Sequence, residues 1–364
     1  MAFAVILHVG LLFVLKYSPF VTTNINLLFS LCGTSFNLNV PSFLIPIGIS
    51  FYTLQAVSYL FDVYRKIIPA DKNLGRLALY MSFFPQLMEG PICRYSDTAE
   101  ALWDSKPIKF ENFISGSQRI IFGFMKKLIV ADRLNLFIDE VFTGYENYDG
   151  LVIALAAVFY TFQLYCDFSG TIDVALGSAE IFGIKLPENF RRPFFSTTIS
   201  EFWKRWHITL TRFFTTYVYI PLGGNRKGKM RTCINVLIVF ALSGLWHGAA
   251  WTFVAWGVMH GVMMVIERII GQERLNKIPT WIRFAYTFGF VNCAWVFFRA
   301  NTFTDALNIF KRILHGGKGY ILDDMLQVIV NNSSPEVMDK LGLNIIGNQT
   351  VGHCSYVNSH TQFA

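Results

Sequence analysis

Long apolar runs alternate with short polar breaks along most of this sequence. Runs without Lys, Arg, Asp or Glu cover residues 2–15, 17–61, 151–166, 232–266 and 284–298. A helix needs about 20 mainly apolar residues to cross a bilayer. Residues 17–61 are therefore long enough for two helices, and the Asn and Pro residues between 34 and 41 predict the break between them. The pattern predicts an all-α, multi-pass transmembrane helical bundle, with a further span in residues 2–15.

Three stretches depart from a simple span. Residues 77–95 form a short apolar run broken by proline and glycine, which is typical of either a re-entrant segment or a loop. Residues 113–130 mix Arg and Lys with large apolar residues, as in an amphipathic helix at the membrane interface. The run that starts at residue 151 is followed by Asp167 and Asp173. Each carboxylate is either a helix cap or part of a polar cavity wall, and capping is the prediction for Asp173.

The composition supports a membrane protein. Of the 364 residues, 53% are apolar and only 15% are charged, which is unusual for a soluble domain of this size. The net charge of +7 comes from short basic clusters between apolar runs, a pattern of cytoplasmic loops rather than of a nucleic-acid-binding surface. The basic turn GGNRKGKMR, residues 223–231, is therefore predicted to face the cytoplasm. Its cations either only fix the orientation or also help to hold the phosphates of an acyl donor.

Several kinds of chemistry lack their usual signatures. The six cysteines include no CxxC pair, which argues against a disulfide framework and a zinc site. The sequence contains no GxSxG, HExxH, Walker A or GxGxxG motif, and few carboxylates accompany the histidines. We therefore expect neither a metal nor a bound cofactor.

Two histidines remain as candidate catalytic groups. His247 lies in the uncharged run 232–266, where an ionisable side chain is costly and marks a functional site. His207 ends a basic aromatic cluster. A buried neutral imidazole can take the proton from a hydroxyl that attacks a thioester. The alternative is that Gly244 and Gly248, in GxxxG spacing, pack against another helix and His247 only forms a hydrogen bond there.

Seven motifs along residues 46–300 together resemble one known family. They are PIGISFYTLQAVSYLFDVYR (46–65), FFPQLMEGPICRY (83–95), QLYCDFSGTIDVALG (163–177), PENFRRPFFSTTISEFWKRWHITLTRFF (187–214), YVYIPLGGNRKG (217–228), SGLWHGAAWTFVAWGVMHG (243–261) and WVFFRA (295–300). The order and content are similar to those of the membrane-bound O-acyltransferases, and within them to the alginate O-acetyltransferase-like branch. The resemblance implies a horseshoe-like helical bundle around a central channel. It also implies that His247 occupies the catalytic position and that His207 is the family's second common histidine.

The function implied by this resemblance is acyl transfer in a bacterial plasma membrane. The acyl group, usually acetyl, passes from a cytoplasmic thioester, acetyl-CoA or an acyl carrier, toward hydroxyls of an extracytoplasmic polysaccharide or cell-wall polymer. The implied partners are membrane lipid and a periplasmic or surface esterase-like protein, with no nucleic acid. The candidate substrate- or donor-binding residues are Asp167, Trp203, Arg205, Asn225 and Trp246. Residues 1–326 are assigned to the acyltransferase domain, whose amino end looks truncated, and residues 327–364 form a tail without an assigned role.

Other functions remain open. D-Alanyl transfer from a carrier protein to teichoic acid shares both histidines in the resembling family, although the motifs at 46–65 and 83–95 are more similar to the acetylating branch. A lipid-linked sugar transporter predicts inverted repeats and intramembrane charge pairs, and the sequence shows no repeat. A structural subunit with its catalysis in a partner is a third possibility. Glu89 and Thr171 are among the departures from the family pattern, and they bear on substrate detail.

Overall fold

The computed structural model describes residues 2–46, 48–87, 89–104, 107–316 and 321–332. The regular elements in those ranges are all helical, which confirms the all-α class. The α-helices are α1 (Ala2–Leu12), α2 (Ser18–Leu31), α3 (Ile49–Tyr64), α4 (Leu74–Ser82), α5 (Phe84–Leu87), α6 (Tyr95–Trp103), α7 (Phe110–Phe124), α8 (Asp132–Thr143), α9 (Gly150–Ile181), α10 (Ile199–Arg205), α11 (Ile208–Phe214), α12 (Lys229–His247), α13 (Trp251–Ile270), α14 (Gln272–Leu275), α15 (Thr280–Arg299), α16 (Phe303–Leu314) and α17 (Ile321–Asn331). Most of the tail assigned to residues 327–364 lies outside the described residues.

Four helical stretches in the described part of the chain are long and apolar enough to cross a membrane, namely Phe3–Leu31, α9, α12 and α13. The first joins α1 to α2 through a π-helical turn at Phe13–Tyr17. The prediction of a separate span in residues 2–15 is therefore wrong, because the π turn continues the helix through Lys16. The predicted break is confirmed, since non-helical backbone follows α2 and extends to Pro46.

Helix α9 is the longest helix and packs closely against α7. The contact is close because glycines face each other: a Cβ on Gly177 would lie 2.5 Å from the Gly116 carbonyl oxygen, and one on Gly170 would lie 2.8 Å from that of Gly123. The 32-residue helix continues through Cys166, so the boundary implied by the apolar pattern is wrong. The two backbones thus touch where larger side chains would hold them apart.

Charged residues reinforce this contact between α7 and α9. Arg119 lies 3.0 Å from Asp173 and 2.7 Å from Glu188, and Lys126 also pairs with Asp173. Asp173 therefore does not cap a helix as predicted, because it lies in the middle of α9 and accepts from two cations. The sequence predicts an interfacial helix for residues 113–130, but basic residues of this stretch pair with acids within the bundle. Such pairing limits the cost of partly burying these ions.

Helices α12 and α13 form a close antiparallel hairpin joined by Gly248–Ala250. A Cβ on Gly244 would lie 2.2 Å from the Phe253 carbonyl oxygen, and one on Gly257 would lie 2.2 Å from that of Phe240. The GxxxG interpretation of Gly244 is thus correct as a statement about packing. His247 is the last residue of α12, at the tip of this hairpin.

Irregular backbone between α5 and α6 is enclosed by protein. Ile92 and Cys93 are buried, and the Tyr80 hydroxyl donates to the Cys93 carbonyl oxygen over 2.8 Å. The Ile92 N–H donates to Thr209 Oγ1 over 3.0 Å, which ties this segment to α11. Such enclosure is what non-helical backbone requires at membrane depth.

The glycine contact yields a stability prediction. Replacing Gly177 with alanine forces α7 and α9 apart, so we expect a loss of about 1–3 kcal/mol, as is typical of overpacking. Gly289→Ala is the matched control, because a Cβ there meets nothing within 4 Å and alanine is the better helix former. Thermal unfolding in detergent, followed by tryptophan fluorescence, should show a lower midpoint for Gly177→Ala only. Equal midpoints for the two variants would contradict the packing argument.

Candidate active site

A cavity of about 510 Å³ lies beside the tip of the α12–α13 hairpin. One wall is aromatic and contains both candidate histidines, and the other is polar. The aromatic wall is formed by Trp206, His207, Trp246, His247, Trp295 and Phe298. The polar wall is formed by Lys16, Ser50, Glu89, Lys127, Asp167 and Thr171. A second cavity of about 550 Å³ adjoins it and shares several residues of the polar wall. The polar wall offers hydrogen-bonding groups and the aromatic wall offers apolar surface, a combination that is typical of a ligand site.

His247 is held by aromatic packing rather than by hydrogen bonds. Its ring centroid lies 5.1 Å from that of Trp256 and 5.4 Å from that of Phe298, both edge-on, and 4.9 Å from that of Trp246. No hydrogen bond to its ring nitrogens occurs within the described ranges, and the residue is partly exposed. The cage therefore fixes the ring and leaves its nitrogens available to a ligand.

His207 is held quite differently. It precedes α11 in a left-handed conformation, φ 44°, which is uncommon for a residue other than glycine and typical of constrained sites. Its Nδ1 lies 3.2 Å from Asn189 Oδ1, which also accepts from the Thr209 N–H over 3.0 Å. Because the Thr209 N–H donates to it, the contacting atom of Asn189 is the amide oxygen, which can only accept hydrogen bonds. His207 Nδ1 must therefore carry the ring proton, and His207 Nε2 carries the lone pair. His207 Nε2 is buried without a hydrogen-bond partner among the described residues.

The fold brings these two histidines onto one wall. Their ring centroids are 6.3 Å apart, and Trp246 contacts both rings, at 6.1 Å from His207 and 4.9 Å from His247. The sequence predicts both as catalytic candidates, and the structure places them beside the same cavity. Such a pair offers one accessible imidazole and one fixed imidazole with a known tautomer.

The other candidate residues divide into two groups. Trp246 and Asp167 line the cavity, and Asp167 accepts from Lys127 at 3.0 Å. Trp203, Arg205 and Asn225 do not line it.

Each residue of the second group has a separate environment. The buried Trp203 indole N–H donates to His260 Nδ1 over 3.2 Å, Arg205 pairs with Glu201 at 2.6 Å, and Asn225 is exposed in the basic turn. His260 itself is fully buried among aromatic rings.

Sequence reasoning missed Lys16, Ser50 and Lys127 of the polar wall. Lys16 reaches the cavity from the first candidate span, and a lone charge inside an apolar run was the signal for it. Glu89 has φ 58°, again left-handed, and lies beside the cavity. Lys127 was hidden inside a stretch that the pattern assigned to the interface. The described part of the chain holds no group of three His, Cys, Asp or Glu residues that could bind a metal ion.

The fixation of His207 can be tested through stability. Replacing Asn189 with leucine removes the shared acceptor and leaves the buried Thr209 N–H unpaired, which typically costs about 1–3 kcal/mol. We expect a lower unfolding midpoint in detergent. Asn308→Leu is the control, because Asn308 is exposed and makes one long hydrogen bond of 3.4 Å. If Asn189→Leu melts at the same temperature as the control, the amide does not hold this region.

Comparison with known proteins agrees with the fold and the motifs. The sequence model of the membrane-bound O-acyltransferase family matches residues 66–303. The chain is 38% identical to a probable alginate O-acetylase of Pseudomonas putida, with 83% of this chain and 62% of that protein aligned. It is 36% identical to a peptidoglycan O-acetyltransferase of Helicobacter pylori, with 84% of this chain and 63% of that protein aligned. A teichoic acid D-alanyltransferase of Bacillus subtilis is 31% identical to this chain, with 67% of this chain and 63% of that protein aligned.

The chain thus spans 62% to 63% of the length of these relatives. The family match covers more than half of the chain and includes both cavity histidines. Because that match covers more than half of the chain and the described elements are helical, the chain belongs to the membrane-bound O-acyltransferase family.

Proposed function

We propose that this chain is a membrane-embedded O-acyltransferase with His247 as its general base. It moves an acyl group, acetyl in the simplest case, from a cytoplasmic thioester such as acetyl-CoA to a hydroxyl of an extracytoplasmic polysaccharide or cell-wall polymer. The observation that carries the proposal is that His247 is caged by aromatic rings at the edge of a cavity, with no hydrogen bond to its ring from the described residues.

The chemistry follows from a neutral imidazole at this position. A ring nitrogen of His247 takes the proton of the acceptor hydroxyl while the hydroxyl oxygen bonds to the thioester carbonyl carbon. When the tetrahedral adduct collapses, the C–S bond breaks and the leaving thiolate takes the proton from the imidazolium. The products are an ester and a thiol, and His247 is again neutral. His207 has the supporting role, because its ring is 1% exposed and is fixed by Asn189.

The two ends of α12 suit substrates that arrive from opposite sides. The 19-residue helix carries His247 about 27 Å away from Lys229, at about 1.5 Å per residue. Excess Lys and Arg next to a span favours the cytoplasmic side, so the basic turn before Lys229 faces the donor. His247 then lies toward the opposite face, where a polymer hydroxyl has the shorter path.

A smaller cavity, separate from the central one, is the candidate binding site for the donor. It measures about 250 Å³, is mainly apolar, and lies between α10, α11, α12 and α13, with Trp203, Lys204 and Arg268 among its lining residues. We propose that the flexible arm of the thioester enters here, with its phosphates near the two cations. Trp203 is then a donor-side residue, whereas Arg205 and Asn225 line neither this cavity nor the central one.

The proposal that the transferred acyl group is acetyl rests on sequence identity to the relatives. Identity is 38% and 36% to the relatives named for alginate and peptidoglycan acetylation, and 31% to the one named for D-alanyl transfer. We further propose a bacterial plasma-membrane location and an esterase-like partner on the outer side that completes the transfer.

The proposed base is tested by comparing two histidines that pack among aromatic rings. We expect His247→Ala to lower O-acetylation of cell-envelope polysaccharide, per amount of protein, by at least about 100-fold, the usual contribution of a general base. His260→Gln is the matched control, because His260 also packs against aromatic rings but lies away from the central cavity. It should reduce abundance rather than activity per molecule. Acetate released by mild alkali, with immunoblotting for protein level, provides the measurement. Undiminished acetylation in His247→Ala would refute the proposal.

The proposed orientation is tested by thiol labelling. The exposed Cys32 follows α2, beyond Asn24, which accepts from Trp251 Nε1 at the hairpin tip over 2.8 Å. It therefore lies at the opposite end of the bundle from Lys227. In right-side-out vesicles, an impermeant maleimide should label Cys32 but reach Lys227→Cys only after permeabilisation.

For this experiment Cys293 and Cys354 are replaced by alanine, so that Cys32 is the exposed native thiol. Labelling of Lys227→Cys in sealed vesicles would reverse the orientation.

A further inference from the structure

Lys16 is the only Lys, Arg, Asp or Glu in the apolar helix Phe3–Leu31. It lies near the middle of this candidate span, where an ammonium group is expensive and generally has a function. The π-helical turn Phe13–Tyr17 contains it, and such turns occur frequently at functional sites. The side chain lines both of the adjoining cavities beside the hairpin tip.

Lys16 contacts the end of the helix that carries His247. Its Nζ donates to the Trp246 carbonyl oxygen over 2.5 Å and to Ser50 Oγ over 3.3 Å. The neighbouring Tyr17 hydroxyl donates to the Leu245 carbonyl oxygen over 3.1 Å. The last four carbonyl groups of a helix have no partner within it. The two side chains of this turn therefore cap α12 immediately before its terminal histidine.

The charge of Lys16 is not neutralised by a neighbour. No carboxylate of the described residues lies within 4.0 Å of its Nζ. By contrast, Lys127 on the same wall pairs with Asp132 at 2.7 Å and Asp167 at 3.0 Å. An ammonium group has three donors, and the protein contacts of Lys16 use two. One donor and the positive charge therefore remain for the cavity.

The acyl-transfer step creates a need for such a charge. When a hydroxyl attacks a thioester, the π electrons of the carbonyl move onto its oxygen, which becomes an oxyanion. A fixed positive group beside that oxygen stabilises the transition state strongly where water is excluded. Lys16 contacts the residue that precedes His247 and lines the same cavity. The base His247 and the cation Lys16 thus occupy neighbouring positions beside the cavity where the reacting carbonyl would bind.

We propose that Lys16 is a catalytic residue whose ammonium group binds the thioester carbonyl oxygen as it becomes anionic. The inference rests on the proposed acyl transfer. The oxygen of the acceptor bonds to the carbonyl carbon, and the negative charge develops beside Nζ. An electron pair on the carbonyl oxygen then re-forms the C=O bond as the C–S bond breaks. Lys16 remains protonated throughout, and His247 carries the transferred proton.

The competing explanation is that Lys16 only caps α12. Tyr17 separates the two explanations, because it caps the adjacent carbonyl from the same turn but does not line the central cavity. Tyr17→Phe therefore removes a cap without removing charge from the site. Lys16→Gln keeps a donor for the Trp246 carbonyl but removes the charge, and Lys16→Arg keeps both.

The experiment uses inverted membrane vesicles, which expose the cytoplasmic face and retain the native acceptor. [14C]Acetyl-CoA is supplied outside, and alkali-labile label in polymer is counted per amount of protein. We expect Lys16→Met and Lys16→Gln to lower the apparent kcat by about 100- to 1,000-fold, as for loss of an oxyanion contact, with KM for acetyl-CoA changed less than about threefold. Tyr17→Phe should stay within about threefold of the wild type, and Lys16→Arg should recover a large part of the activity.

The outcomes separate the two proposals. If His247→Ala is inactive but Lys16→Gln is as active as Tyr17→Phe, Lys16 is only a cap and the inference fails alone. The inference also fails alone if the Lys16 variants change KM at unchanged kcat. If His247→Ala labels polymer at the wild-type rate, the proposed function itself fails. Should Lys16→Met not accumulate in the membrane, Lys16→Gln gives the decisive comparison, because it keeps the cap.

Discussion

The end of α12 must satisfy its free carbonyl groups at a depth where bulk water does not compensate for missing hydrogen bonds. Lys16 and Tyr17 supply the donors, and both come from one π-helical turn of the first candidate span. This contact holds the backbone at Trp246, whereas aromatic rings hold the side chain of His247 that follows it. The position of the proposed base thus depends on a helix more than 200 residues earlier in the sequence.

Much of the fold follows from the sequence. The apolar runs locate α9, α12 and α13, and the polar residues after α2 locate the break before α3. Two failures have a common cause. The pattern of apolar positions describes each segment alone, so it cannot show that Asp173 in mid-helix pairs with Arg119 of α7 and with Lys126 just beyond it. Nor can it show that a π turn carries one helix past Lys16.

The candidate site, like the fold, could be predicted from the sequence only in part. His207, His247, Trp246 and Asp167 were identified from motifs or from polar groups beside apolar runs, and all four line the cavity. Residues such as Ser50 and Lys127 carry no local signal, because nothing in their own neighbourhood distinguishes them from ordinary helix residues. Only the three-dimensional fold brings them to the wall that faces the histidines.

Packing and catalysis are not alternative explanations of the segment around His247. A Cβ on Gly248 would lie 2.1 Å from the Phe253 ring, so glycine is needed for α13 to turn back directly after the histidine. Phe253 in turn contacts Phe298 at 4.9 Å, and Phe298 forms one side of the cage around His247. The glycine contacts therefore allow aromatic rings, rather than hydrogen bonds, to hold the imidazole. A base held in this way keeps its nitrogens free for a proton, which is the property that acyl transfer requires of it.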